Sequence, residues 1–157
     1  SSDYGKGVAL HIGVTNSLGD VFEYDVDGLL RSPAGSAPSS PGGGSGSSEV
    51  RDWSECLSLQ VLPEEFLDSM ADVWDETLDS LQQDSEWTAE RYDETDHNCY
   101  SFVMGFLRML DPPGLSLSSP TAFCQAHLVP TTSSAGRFIS LYRRLRSQPN
   151  HLFVHQS

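Results

Sequence analysis

The sequence predicts an α+β domain in which an antiparallel sheet packs on helices. Residues 8–14 alternate at the two-residue period of a strand, and a second alternating run follows directly as a hairpin partner. Two later stretches instead repeat apolar side chains at three- and four-residue steps, as helices do. With 157 residues, part of them low in complexity, the chain has material for one hydrophobic core, so residues 1–157 are expected to form a single domain.

In the first strand Val8, Leu10, Ile12 and Val14 point one way and Ala9, His11 and Gly13 the other. Ser17-Leu18-Gly19-Asp20 reads as a turn, and residues 21–26 as the return strand. Every residue of 32–48 is Ser, Gly, Pro or Ala, too few apolar groups to offset the entropy of ordering a backbone. That stretch is expected to be a disordered loop between paired strands, because closure entropy grows only slowly with loop length. Residues 54–61 alternate again, with Cys56 opposite Leu57, Leu59 and Val61, and predict a third strand.

Pro63 suits the first turn of a helix, and Phe66, Met70, Val73, Trp74, Thr77, Leu78 and Leu81 form its apolar stripe. The other face carries Glu65, Asp68, Asp72, Asp75, Glu76 and Asp79, a counterpart to the late arginines. Residues 93–98 are polar and supply capping side chains before Cys99 and the stripe Val103, Phe106 and Leu110; Asp111-Pro112-Pro113-Gly114 ends that helix. Pro120 opens a short helical segment to about His127. Ser133 or Ser134 then caps a last helix bearing Phe138, Leu141, Tyr142 and Leu145, and Leu152-Phe153-Val154 reads as a closing strand.

The formal net charge of −13 repels phosphate backbones and anionic lipid, which argues against nucleic acid as a partner. Arg137, Arg143, Arg144 and Arg146 cluster late in the chain, where they either dock an acidic protein partner or balance an acidic neighbour in the same fold. Cys56, Cys99 and Cys124 make no even framework, which fits a reduced, intracellular setting, cytoplasmic or nuclear. No signal peptide is recognisable, and no run of about 18 apolar residues would cross a bilayer.

Cys99 is the candidate for chemistry. At the start of a helix, unpaired amides and the positive end of the macrodipole favour thiolate over thiol. A base is needed to complete the arrangement, and His11 lies on the face with small residues Ala9 and Gly13, where a helix end can approach. Asn98 either caps the helix or lends its amide to an oxyanion, and the Cys99 amide is another donor. His97 is a competing base. Equally, Cys99 shares the stripe of Val103, Phe106 and Leu110 and so reads as a small core hydrophobe, and His11 as a structural histidine. Cys124 and His127 form half of a zinc site with no second half in view. His151 and His155 have helical metal-pair spacing but lack the intervening glutamate, so no metal or cofactor is expected.

The runs Leu10-His11-Ile12-Gly13-Val14-Thr15-Asn16, Gly19-Asp20-Val21-Phe22-Glu23-Tyr24-Asp25, His97-Asn98-Cys99-Tyr100-Ser101-Phe102 and Phe138-Ile139-Ser140-Leu141-Tyr142-Arg143 resemble the makorin-2 opposite strand protein family. The resemblance includes the Trp74 helix and leaves out the Ser/Gly/Pro insertion, which departs from the family pattern. It brings no established activity. Family members also share an upstream segment with paired cysteines that is not in this sequence, so any metal-binding part is expected to be absent. More distantly, His11 on a strand, the Tyr24 hairpin and Asn98-Cys99 at a helix start are similar to the circularly permuted papain-like thiol hydrolases, the PPPDE peptidases and lecithin-retinol acyltransferase-like enzymes. That resemblance implies a permuted papain-like fold with His11 as general base and Cys99 as nucleophile on an amide, isopeptide or thioester bond. Three functions therefore stand as expectations: a thiol hydrolase, a noncatalytic protein-interaction module on the same scaffold, and a metal-assisted module using Cys124 and His127. Substrate, partners and oligomeric state are not readable from these residues.

Overall fold

A computed structural model describes residues 11–34, 53, 56–115 and 117–147, with the side chains of 139–147 left aside. It is an α+β arrangement of a three-stranded antiparallel sheet in the order β1-β2-β3, covered by helices. The strands are β1 (Gly13–Thr15), β2 (Val21–Asp25) and β3 (Gly28–Ser32).

The first hairpin forms as its alternation predicts, with Val14 opposite Phe22. Its turn sits one residue earlier than expected: the Gly19 amide donates to the Asn16 carbonyl, and the Asn16 side chain accepts from the Leu18 and Asp20 amides. Gly19 takes φ +85, which a side chain would strain.

The third strand is not residues 54–61. Residues 56–61 are irregular, and the place beside β2 belongs to β3, with Leu30 opposite Glu23. Alternation alone makes no strand, because each backbone group needs a ladder partner and that partner was already taken. The missed signal is Val26-Asp27-Gly28, where the Asp25 carboxylate accepts from the Asp27 amide and Gly28 takes φ +96. At Gly28 a side chain would also press on the Ala89 amide, 3.1 Å away. Ser32, expected in the insertion, closes β3 as a buried residue, and positions 35–48 lie outside the described residues.

Helix α1 (Leu67–Gln82) follows a 3-10 turn that Pro63 opens. Its stripe is buried only at its far end, at Leu78 and Leu81, while Val73 is exposed. Trp74 bridges the two layers: its Nε1 donates to the Thr15 carbonyl at 2.8 Å and its ring meets Phe106 edge-on. The acidic face of α1 is held in part by the hairpins, Asp75 by Ser17 and Asp79 by Arg31. Among the late arginines Arg137 is exposed, and the side chains of the other three lie outside the description.

Helix α2 (Cys99–Leu110) is the central element, burying Phe102, Val103, Met104, Phe106 and Leu107 against Phe22, Tyr24, Leu78 and Leu81. Asp111 ends it in the left-handed conformation, as the residue before two prolines must leave the helical region. Pro120 opens a helix as predicted, with Ser119 as its cap, and the chain does not break near His127. Helix α3 (Pro120–Phe123) runs through a wide π turn into α4 (Val129–Ser147). The wide turn lets the helix pass Pro130, which has no amide to give: the Val129 amide reaches the Cys124 carbonyl just before it. Ser133 and Ser134 are therefore interior helix residues and not caps. The closing strand at Leu152-Phe153-Val154, with His151 and His155, lies outside the described residues, as do Val8 and Ala9. No described helix is long and apolar enough to cross a membrane.

Candidate active site

The start of α2 is built by its own sequence. Asn98 accepts from the Tyr100 and Ser101 amides, while its own amide donates to the Ser101 hydroxyl at 2.7 Å, a reciprocal capping box. The Asn98 side-chain nitrogen donates to the Glu94 carbonyl at 2.8 Å. Both ends of this amide are thus engaged in capping, and it stands as the residue that fixes where the helix begins.

That cap places Cys99 as the first helical residue, 7% exposed, against the segment leading into β1. The His11 side chain and the Ile12 and Tyr100 amides lie near enough to its sulfur to favour the charged form. Burial pushes the thiol up, but the His11 hydrogen bond, the Ile12 amide, the His11 charge and the Tyr100 amide together outweigh it, and the net shift is downward from 9.0.

His11 is held from its other side. Its Nε2 lies 2.8 Å from Oε2 of Glu23. Glu23 stands on β2 opposite Gly13, on the face away from Phe22 and Tyr24, yet it is only 1% exposed. Trp53 also reaches it: Nε1 donates to Oε1 of Glu23 at 3.1 Å, and the indole tilts over the His11 ring at 5.9 Å between centroids. A buried carboxylate is costly without donors, and here each oxygen has one. The expected approach of a helix end over Gly13 is not how the room is used. A side chain at Gly13 would stand 2.7 Å from the Phe22 carbonyl oxygen, so the glycine serves the close pairing of β1 with β2.

The competing candidates go elsewhere. His97 Nε2 donates to the Glu86 carbonyl, 3.0 Å away, and the ring stacks on Trp87 with 4.8 Å between ring centroids. That is a packing role. Cys124 and Tyr100 border the thiol: burial first, and then the charge of Cys99, push Cys124 up, and burial, Cys124 and Cys99 push Tyr100 up. His127 packs on Phe123 instead of pairing with Cys124 around a common centre. Among the described residues no three His, Cys, Asp or Glu side chains are grouped to hold a metal ion.

Sequence reasoning therefore named Cys99, His11 and Asn98 and missed Glu23, Trp53 and Ser101. The available signal was an acid in the middle of a strand, between Phe22 and Tyr24, one pairing step from the His11 strand. Alternation assigns such an acid to solvent. The Trp53 side chain, from beyond the insertion, reaches that outer face.

Comparison with known proteins agrees with the resemblance read from the motifs. The family described as DUF4796 C-terminal matches residues 1–145. The chain is 30% identical over 138 residues to the MKRN2 opposite strand protein of Homo sapiens, an alignment covering 87% of this chain and 54% of that protein. It thus spans about half the length of that relative. No solved structure matches.

Proposed function

This chain belongs to the DUF4796 C-terminal family, and from that premise we propose that it carries a papain-like thiol hydrolase site acting on an amide, isopeptide or thioester bond. Cys99 is the nucleophile, His11 the general base and acid, and Glu23 the residue that positions His11. The observation carrying this reading is a His11 imidazole held at 2.8 Å by the buried Glu23 carboxylate and near enough to the Cys99 sulfur to favour its thiolate. A carboxylate on the far nitrogen fixes the ring's orientation and supports the imidazolium, while the near nitrogen exchanges a proton with sulfur.

In the proposed cycle the Cys99 thiolate attacks the carbonyl carbon. The oxyanion meets the Cys99 backbone amide, the first of α2, which has no acceptor inside the helix. His11 hands its proton to the leaving nitrogen or sulfur as the bond to carbon breaks. It then takes a proton from water as that water opens the thioester. The proton returns and the thiol site is restored.

A noncatalytic protein-interaction module on the same scaffold is the second reading, and the low exposure of Cys99 favours it. Labelling separates the two. With iodoacetamide at neutral pH, the hydrolase reading expects Cys99 to react faster than Cys56, which is exposed, and Cys124, and His11→Ala to slow it. It further expects an acyl adduct on Cys99, seen by intact mass after exposure to a panel of thioesters, and none in Cys99→Ser. Slow, equal labelling of all three cysteines and no adduct would leave the interaction module.

A further inference from the structure

We infer that the groove between the first turns of α1 and the segment 59–62 is a docking surface for an extended peptide of a protein partner, one that carries an apolar side chain between basic ones. The inference goes beyond the thiol site and shares no residue with it.

The groove holds about 350 Å³, at the small end of the range of ligand pockets. Leu67, Ala71 and Trp74, at helical steps of four and three, form its α1 wall, and Leu59, Val61 and Leu62 the facing one. Leu67 is still 39% exposed, since the stripe of α1 enters the core only at Leu78 and Leu81. Trp74 is not free to fill the space, because its Nε1 donates to the Thr15 carbonyl and its ring packs on Phe106. The facing wall has a strand's alternation, and among the described residues no strand pairs with it. An extended ligand can therefore lie beside it, as in strand addition.

Charge selects the occupant. Asp68, Asp72 and Asp75 recur at steps of four and three and so make one ridge on α1, with Asp68 and Asp75 lining the groove itself. Like charges at these steps repel each other. Among the described residues no Lys, Arg or His forms an ion pair with Asp68 or Asp72, and Arg31 goes to Asp20 and Asp79 instead. Asp75 accepts from the Ser17 amide at 2.9 Å and from the Ser17 hydroxyl, neutral donors that fix the carboxylate and leave its charge. A cation seated along this ridge relieves the repulsion, whereas a phosphate backbone or anionic lipid adds to it. The apolar walls then separate a basic peptide with a central apolar residue from one with charge alone.

The probe is a rhodamine-labelled synthetic peptide with one leucine between two pairs of arginines, titrated with the full chain and read by anisotropy at about 50 mM and about 300 mM salt. A control peptide has serine in place of the leucine. In the chain, Asp68→Lys with Asp72→Lys reverses two exposed charges, and Ala71→Phe fills the groove; equal thermal melting shows that the variants are folded. The parent is expected to bind the leucine peptide about tenfold tighter than the serine peptide. The double charge reversal weakens binding about tenfold at low salt and less at high salt. Ala71→Phe removes the advantage of leucine, and if that variant does not fold, the charge reversal and the serine peptide still decide.

The inference is overturned if the parent fails to bind the leucine peptide, binds the serine peptide as tightly, or loses nothing on charge reversal. It is overturned as well if the parent sediments as a dimer that the charge reversal turns into a monomer, since the occupant is then a second copy of this chain. Alkylation of Cys99 is read separately, so the site reading stands or falls on its own.

Discussion

The two faces of β2 are buried to the same degree by opposite means. On one, Phe22 and Tyr24 are fully buried in the core cluster with α1 and α2 side chains, Tyr24 also against the Trp87, Tyr92 and His97 rings, with its hydroxyl donating to the Thr88 carbonyl at 3.0 Å. On the other, Glu23 is enclosed by His11 and Trp53, each giving it a hydrogen bond. Hydrocarbon contact on the first face stabilises the fold whatever its neighbours protonate. The second face is stable only while its carboxylate keeps its donors, so it couples burial to the charge of the site. The two histidines repeat the contrast: His97 stacks on Trp87 within the aromatic cluster around Tyr24, and His11 links a carboxylate to a thiol.

If the faces divide stability from reactivity, mutations should separate the two readouts. The largest effect is expected on the apolar side. Phe106→Ala removes the ring that meets Trp74 and should cost about 3–5 kcal/mol in urea unfolding. Cys99 in the remaining folded protein should still alkylate at the parent rate. On the polar side His11→Ala should slow Cys99 alkylation at neutral pH by about a hundredfold or more, and Glu23→Gln by about tenfold. The contrast would break if Phe106→Ala changed Cys99 reactivity as strongly as His11→Ala.

Smaller effects sharpen it. Asn98→Ala removes the cap and should cost about 1 kcal/mol in thermal or urea unfolding, with Cys99 less reactive because its helix start frays. His97→Gln should lower stability and leave alkylation of Cys99 alone, a result that would fail if His97 were the base. The smallest is a pH dependence. Since the fold holds the Cys99 thiol below 9.0, the folded state sheds its proton first as pH rises. Stability from this group is complete above the unfolded value and is lost as pH falls through the folded one. Unfolding free energy measured across the neutral range should therefore climb with pH more steeply in the parent than in Cys99→Ser.

Local patterns carried much of the fold. The alternation around Val14, the hairpin to Val21, the helix after Pro63, the cap at Asn98 and the stop at Asp111 all stand in the structure near their expected positions. The failures share a cause. Residues 56–61 have a strand's pattern and no partner, and Leu29-Leu30 have a partner and little pattern. The break expected between about His127 and a cap at Ser133 or Ser134 is bridged by a wide turn that carries the helix past Pro130.

The same division runs through the site. That Cys99 begins a helix follows from neighbours within a few residues, and so does a strand near His11, although β1 begins only at Gly13 and leaves His11, expected mid-strand, two residues before it. The sequence by itself therefore determined the α+β class, the acidic surface, and two of the three side chains of the site. Glu23, and the indole that makes its burial tolerable, were decided only by tertiary structure. Trp53 is separated from Glu23 by the whole insertion, and no short-range rule connects a tryptophan to a carboxylate 30 positions away. Packing alone brings them together, and the cost of a buried charge makes that meeting matter.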